Sequence, residues 1–192
     1  GMLRIADEPG LMTSGQLQDI LKDMPEWRRE KVLRIKNPSQ QRESAMAYKL
    51  LQEMLCEHYG IREPLAFDIG EHGKPSLAGH EDIHFNLSHC RRAVACVVDS
   101  RPVGVDIECL GRYKRPVAEH TMSEKELSEI AEGDADLVFT VLWTKKEALM
   151  KLIGTGISDD MKTILDTYDG QVVFDTIVCR QVGYVCTHAH WL

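Results

Sequence analysis

Apolar residues recur at helical spacing through Ala47, Leu50, Leu51, Met54 and Leu55, which predicts one long amphipathic helix from Ser39 to Tyr59, ended by Gly60. The period then changes. His84–Ser88, Ala93–Val98 and Val103–Glu108 read as short strands of a meander, separated by turns at Cys90-Arg91 and Asp99–Pro102. The same order recurs in the second half. A helix is predicted from about Asp136 to Ile153, with Val138, Val141, Leu142, Leu149, Leu152 and Ile153 on its apolar side and Gly154 and Gly156 beyond it. Strands follow at about Lys162–Leu165, Gln171–Cys179 and Tyr184–His188. A helix followed by strands, twice over, predicts an α+β (α/β) chain of two similar halves, residues 1–100 and 101–192.

Composition excludes several classes. With 192 residues, 43% hydrophobic, 28% charged and a net charge of −7, the chain is of globular type rather than disordered. No run approaches the ~18 apolar residues of a membrane span, and the first residues lack the basic-then-apolar order of a secretion signal, so a cytoplasmic protein without membrane association is expected. The six cysteines form no CxxC pair and no zinc-ligand spacing, which favours reduced, mostly buried thiols. Charge is uneven along the chain. Residues 27–49 carry seven bases against two acids, and residues 119–136 carry seven acids against one lysine. The basic island is narrow and poor in aromatics, which fits a small polyanion better than a nucleic acid.

Two patterns could carry chemistry. In Val103-Gly104-Val105-Asp106-Ile107-Glu108 the period of two puts both carboxylates on one face of a strand. At about 7 Å such charges repel by roughly 2 kcal/mol at an effective dielectric of ~20, and by about 0.6 kcal/mol in water. If partly buried they need a cation, and Mg²⁺ suits carboxylate and phosphate oxygens; if solvated they are an acidic edge and nothing more. On the second helix Trp143, Glu147 and Lys151 fall at i, i+4 and i+8. Glu147 between a ring and an ammonium is either a general base or metal ligand, or half of a surface pair worth ~0.3–0.5 kcal/mol with Trp143 as a core anchor. Gly73-Lys74-Pro75 is no phosphate loop of Walker type, and no GxGxxG is present. Ser88 and His89 are adjacent on a strand and point to opposite faces, so they do not form a nucleophile–base pair.

The series Gly73-Lys74-Pro75, Phe85-Asn86-Leu87-Ser88-His89, Val103 to Glu108, and Trp143-Thr144-Lys145-Lys146-Glu147-Ala148-Leu149-Met150-Lys151 resembles, in order and spacing, the Sfp-type 4′-phosphopantetheinyl transferases. The resemblance covers residues 25–160. It implies a fold of two similar halves related by pseudo-two-fold symmetry, with the site between them. It implies a transferase (holo-[acyl-carrier-protein] synthase) that moves phosphopantetheine from coenzyme A to a serine of an apo acyl or peptidyl carrier protein, with Mg²⁺, releasing 3′,5′-ADP. It places the metal ligands on Asp106, Glu108 and Glu126, the base on Glu147, a phosphate contact on Lys151, and further coenzyme A contacts on Arg28, Lys31, Arg42, Lys74, Ser88 and His89. A monomer is expected, since one chain holds both halves. The alternative is a non-catalytic module that binds coenzyme A, a nucleotide or a carrier protein.

Overall fold

The computed structural model describes residues 1–154 and 160–192. Gly156, which the sequence placed after the second helix, lies outside the described residues. The N-terminal elements are β1 (Met2–Asp7), α1 (Ser14–Lys22), α2 (Glu26–Leu33), α3 (Pro38–Tyr59), the short pair β2 (Phe67–Ile69) and β3 (Pro75–Leu77), β4 (His84–Cys90) and β5 (Ala93–Asp99). Then come β6 (Val103–Cys109), α4 (Arg115–Thr121), α5 (Glu124–Glu132), α6 (Ala135–Ile153), α7 (Ile164–Thr167), β7 (Val172–Cys179) and β8 (Tyr184–Trp191). Two antiparallel three-stranded sheets result, in the orders β1-β5-β4 and β6-β8-β7. Among the described residues no helix is long and apolar enough to cross a membrane.

The two long helices form where their apolar period and caps coincide. The Asn37 side chain accepts from the amides of Ser39 and Gln40, Pro38 opens α3, and Gly60 closes it at φ 68°. The predicted stripe Ala47, Leu50, Leu51, Met54, Leu55 is buried against Val94, Cys96 and Val98 of β5. The other face of β5, Ala93, Ala95 and Val97, packs on Val103, Val105 and Ile107 of β6. Buried on both sides, β5 reads as an unbroken apolar run. The opposite face of β6 meets α6, so the order across the molecule is α3, β5, β6, α6.

Three sequence expectations change. The meander breaks after β5, because its second edge is occupied by β1, in register from Met2↔Val98 to Asp7↔Ala93, and β6 pairs with β8 instead. The turn between β4 and β5 falls at Arg91-Arg92, with Cys90 still in the strand. The strand expected at 162–165 is a turn leading into α7: the Asp160 carboxylate accepts from the Lys162 amide at 2.9 Å, and Ile164 is buried among Ala148, Leu149 and Leu152.

The contact of α6 with β6 depends on Gly104. A Cβ there would stand 2.1 Å from the Ala148 carbonyl oxygen and 2.7 Å from the Leu152 amide nitrogen, both main-chain atoms that cannot swing aside. Gly104→Ala is therefore expected to lower stability by about 3 kcal/mol, at the upper end of overpacking effects, read as a lower midpoint of urea unfolding. A change below about 0.5 kcal/mol would show that α6 does not seat on this glycine.

Candidate active site

Residues 104, 106 and 108 share the face of β6 that lies under α6. Gly104 lets the helix backbone down onto the strand, and Glu147 and Lys151, one turn apart on α6, come to the two acids. The Lys151 ammonium donates to the Val105 carbonyl at 3.0 Å and to the Leu87 carbonyl at 3.4 Å, and sits 3.6 Å from Asp106 Oδ1. The Ser88 hydroxyl donates to the same Oδ1 at 3.2 Å and accepts from the Ile107 amide at 3.1 Å. Asp106 Oδ2 is buried and has no partner among the described residues.

Burial is the main influence on this carboxyl and pushes it up to about 7; Lys151 opposes the shift, while Glu108 and Glu147 add to it. Glu147 is raised in the same direction, by burial first, with Lys151 opposing and Glu108 adding. Asp106, Glu108 and Glu147 therefore sense one another. The solvated-edge reading of the acidic strand does not hold, since Asp106 is 5% exposed.

Lys74 completes this part of the molecule. Its ammonium donates to the carbonyls of Val103 at 3.1 Å and Lys151 at 2.7 Å, and burial together with Lys151 lowers its pKa. A cavity of about 350 Å³ opens beside it, lined by Phe85, Leu87, Glu147, Met150 and Lys151 among others.

The remaining expected residues are placed differently. Arg28 lies over the Tyr48 ring and donates to Ser44 Oγ at 3.0 Å. Arg42 is turned inward, donating to the carbonyls of Met12 and Pro38. His89 is exposed on the other face of β4 from Ser88, its Nδ1 3.0 Å from Oε1 of Glu43. Arg28, Arg42 and His89 thus collect around the first turns of α3, while Lys31 is exposed on α2. Trp143 takes the core-anchor role, packed against Phe139.

Among the described residues Glu126 is not gathered with Asp106 and Glu108 into a cluster of three acids, as the resemblance implied. It is the third residue of α5, where its Oε1 accepts from the Ser123 amide at 2.8 Å in a reciprocal capping box and from Lys146 Nζ at 2.6 Å. Lys146 is fully buried and also donates to the carbonyls of Thr121 and Met161. A carboxylate committed to a buried ammonium is not available to a cation elsewhere. Three further residues matter that sequence reasoning did not single out: Asn86, whose Oδ1 accepts from the Val105 amide at 2.8 Å, Glu43 behind His89, and Lys146. The Ser123-x-x-Glu126 pattern signals the capping role of Glu126, while no local pattern signals Lys146.

Asp106 and Glu108 are the residues able to hold a divalent cation. The orphaned buried oxygen and the mutual repulsion of three carboxylates both fit such an ion. Among the described residues no three His, Cys, Asp or Glu side chains are already drawn together as a metal cage; Mg²⁺ needs only one or two carboxylates when waters and phosphates fill its remaining positions.

The sign of the pH effect follows from Asp106. Its carboxyl binds a proton more tightly folded (about 7) than unfolded (3.8), so its stabilisation is complete below 3.8 and is lost as pH rises to about 7. The protein without divalent cation is expected to have a lower urea midpoint at pH 8 than at pH 5, and Asp106→Asn to reduce that difference. An unchanged pH dependence in Asp106→Asn would show that the carboxyl is not perturbed in this way.

With this geometry in view, comparison with known proteins is informative. Residues 102–188, which span β6 through most of β8, match the 4′-phosphopantetheinyl transferase superfamily. The chain is 29% identical over 167 residues to 4′-phosphopantetheinyl transferase Sfp of Bacillus subtilis (strain 168), covering 84% of this chain and 75% of that protein. It is 37% identical over 121 residues to 4′-phosphopantetheinyl transferase gsp of Aneurinibacillus migulanus (58% of this chain, 50% of that protein). It is 34% identical over 121 residues to psf-1 of Bacillus pumilus, which carries the same transferase name (61% and 52%). The matched segment holds the strand acids, Glu147 and Lys151 together, and over it the chain is similar to the 4′-phosphopantetheinyl transferase superfamily, with Sfp-type transferases among its relatives.

Proposed function

We propose that this chain transfers the 4′-phosphopantetheine group of coenzyme A to a serine hydroxyl of an apo acyl or peptidyl carrier protein, with 3′,5′-ADP as leaving group. One observation carries the reading: Glu147 and Lys151 are laid by α6 against Asp106 and Glu108 of β6, beside a cavity flanked by Lys74. The names of the relatives support the same reaction.

The chemistry required is displacement at phosphorus. The serine oxygen bonds to the β-phosphorus of coenzyme A, the bond from that phosphorus to the bridging oxygen of 3′,5′-ADP breaks, and the serine proton passes to the Glu147 carboxylate. Burial suits Glu147 to this task, because a raised pKa brings a carboxylate nearer the working pH of a base. Lys74 spends two of its three donors on carbonyls and keeps one for a phosphoryl oxygen. Lys151 fixes Asp106 and adds positive charge where the phosphoryl oxygens carry theirs. Asp106 and Glu108 would hold Mg²⁺, which when bound offsets the negative charge of the diphosphate. Ser88, with its hydroxyl engaged by Asp106 and Ile107, acts by holding Asp106 in place.

Arg28, Lys31, Arg42 and His89 hold the 3′-phosphate end in this reading, so residues 1–100 supply coenzyme A binding and residues 101–192 the acids. The pseudo-two-fold relation of these halves belongs to the same proposal. Its support is that each half sets one long helix on an antiparallel three-stranded sheet.

Glu147→Gln is expected to lower transfer by about 100-fold or more, the usual scale for loss of a general base, with coenzyme A still bound. Transfer is read as the mass gained by an apo carrier protein. Undiminished transfer by both Glu147→Gln and Asp106→Asn would favour the non-catalytic binding module, and release of ADP without any carrier would favour a diphosphate hydrolase.

A further inference from the structure

One edge of β6 is paired by β8; the other, among the described residues, carries no main-chain partner strand and is met by side chains of β4. The Asn86 side chain accepts from the Val105 amide, and the Ser88 hydroxyl from the Ile107 amide, each nineteen residues further along the chain. Both strands advance by two from one contact to the next, so they run parallel here. The following rung of the same register sets Cys90 against Cys109.

At that rung the two cysteines pack into one cluster with Val105, Ile107 and Tyr184. Cys90 is buried and Cys109 is partly exposed, so one sulfur is reachable from solvent and the other waits behind it. Cys186 belongs to the same cluster but pairs with Ile107, a step along the strands from Cys109. Cys179 lies across β8 from Cys109, with both opposite Tyr184, about two strand spacings or roughly 9–10 Å away, which is too far for a disulfide. Cys96 faces α3 on the far side of β5, and Cys56 is on α3 itself.

We propose that Cys90 and Cys109 are a dithiol modification site, oxidised by low-molecular-weight disulfides to a bond that ties β4 to β6. In the first step the Cys109 sulfur, its proton lost to solvent, attacks one sulfur of oxidised glutathione; a mixed disulfide forms and one glutathione thiolate leaves. In the second, the Cys90 sulfur attacks the Cys109 sulfur of that mixed disulfide, the Cys90–Cys109 bond forms, and a second glutathione thiolate leaves. Two protein thiols are oxidised and one glutathione disulfide is reduced to two thiols. Because β4 and β6 belong to different sheets, the bond crosses the seam between them rather than a single sheet.

The test is to incubate the native chain with oxidised glutathione, block remaining thiols, digest without reduction and identify the peptides by mass. The expected result is a cross-linked peptide pair containing Cys90 and Cys109, two hydrogens lighter than the separate thiols, and lost on treatment with dithiothreitol. The oxidised protein is expected to unfold at higher urea than the reduced one and to return to the reduced midpoint with dithiothreitol. Cys90→Ser should stop the reaction at a glutathione adduct on Cys109. A lasting adduct on Cys109 in the unaltered chain, or adducts on Cys56 or Cys179 while Cys90 and Cys109 remain thiols, would overturn the proposal. All readouts are independent of transferase activity, and the result on the unaltered chain does not depend on whether either variant folds.

Discussion

The close approach of α6 to the strand beneath it, at Gly104, is the constraint on which the rest of the molecule depends. Main-chain atoms of Ala148 and Leu152 occupy the space where any other residue would carry a Cβ. Once the helix is seated at that depth, its own geometry decides what else meets β6. Glu147 and Lys151 flank Ala148 and Leu152 in sequence, so the contact that admits the backbone also delivers the carboxylate and the ammonium to Asp106 and Glu108. A second contact fixes the rotation of the helix about its axis: Thr144 Oγ1 lies 2.8 Å from Thr187 Oγ1 on β8, the strand residue paired with Asp106. Packing and chemistry are set by the same few residues.

Burying acids in this way destabilises the folded chain unless something offsets it. The molecule handles two of its buried carboxylates, Glu126 and Asp106, differently. At Glu126 the offset is internal and complete: a fully buried lysine, a backbone amide and two carbonyls satisfy nearly every polar atom. At Asp106 it is partial. Lys151 is 3.6 Å away and shared among carbonyls, Ser88 supplies one hydrogen bond, and the second oxygen has none. Glu108 and Glu147 raise the local negative charge further. A structural ion pair and a site left open to a cationic or phosphate-bearing ligand differ in this respect, and only the second is suited to chemistry.

Much of this was legible in the residues. The two long helices announce themselves through sustained period and glycine ends, and β4, β5 and β6 through short runs bounded by turn residues. The pairing of strands was not, because it depends on β1, whose residues Leu3-Arg4-Ile5-Ala6-Asp7 carry little local signal and whose partner lies some ninety positions away. For the site, the alternation in β6 located both acids but left open whether they were solvated. Burial was decided by Gly104, whose importance is visible only when the helix is in place. Glu126 shows the opposite case: the family resemblance implied a metal ligand, while the Ser-x-x-Glu spacing around it encodes a helix cap. Lys146 reads as one more charged position on a helix, and nothing local reveals that it is fully buried.

The central claim is that the buried acid of β6, held under α6, serves a divalent cation and the diphosphate it accompanies. Calorimetric titration of coenzyme A into the protein, with and without Mg²⁺, tests this most directly when done on the unaltered chain and on Asp106→Asn. Tighter binding with Mg²⁺ in the unaltered chain, abolished by the substitution, is the predicted result; affinity indifferent to Mg²⁺ in both proteins would contradict it.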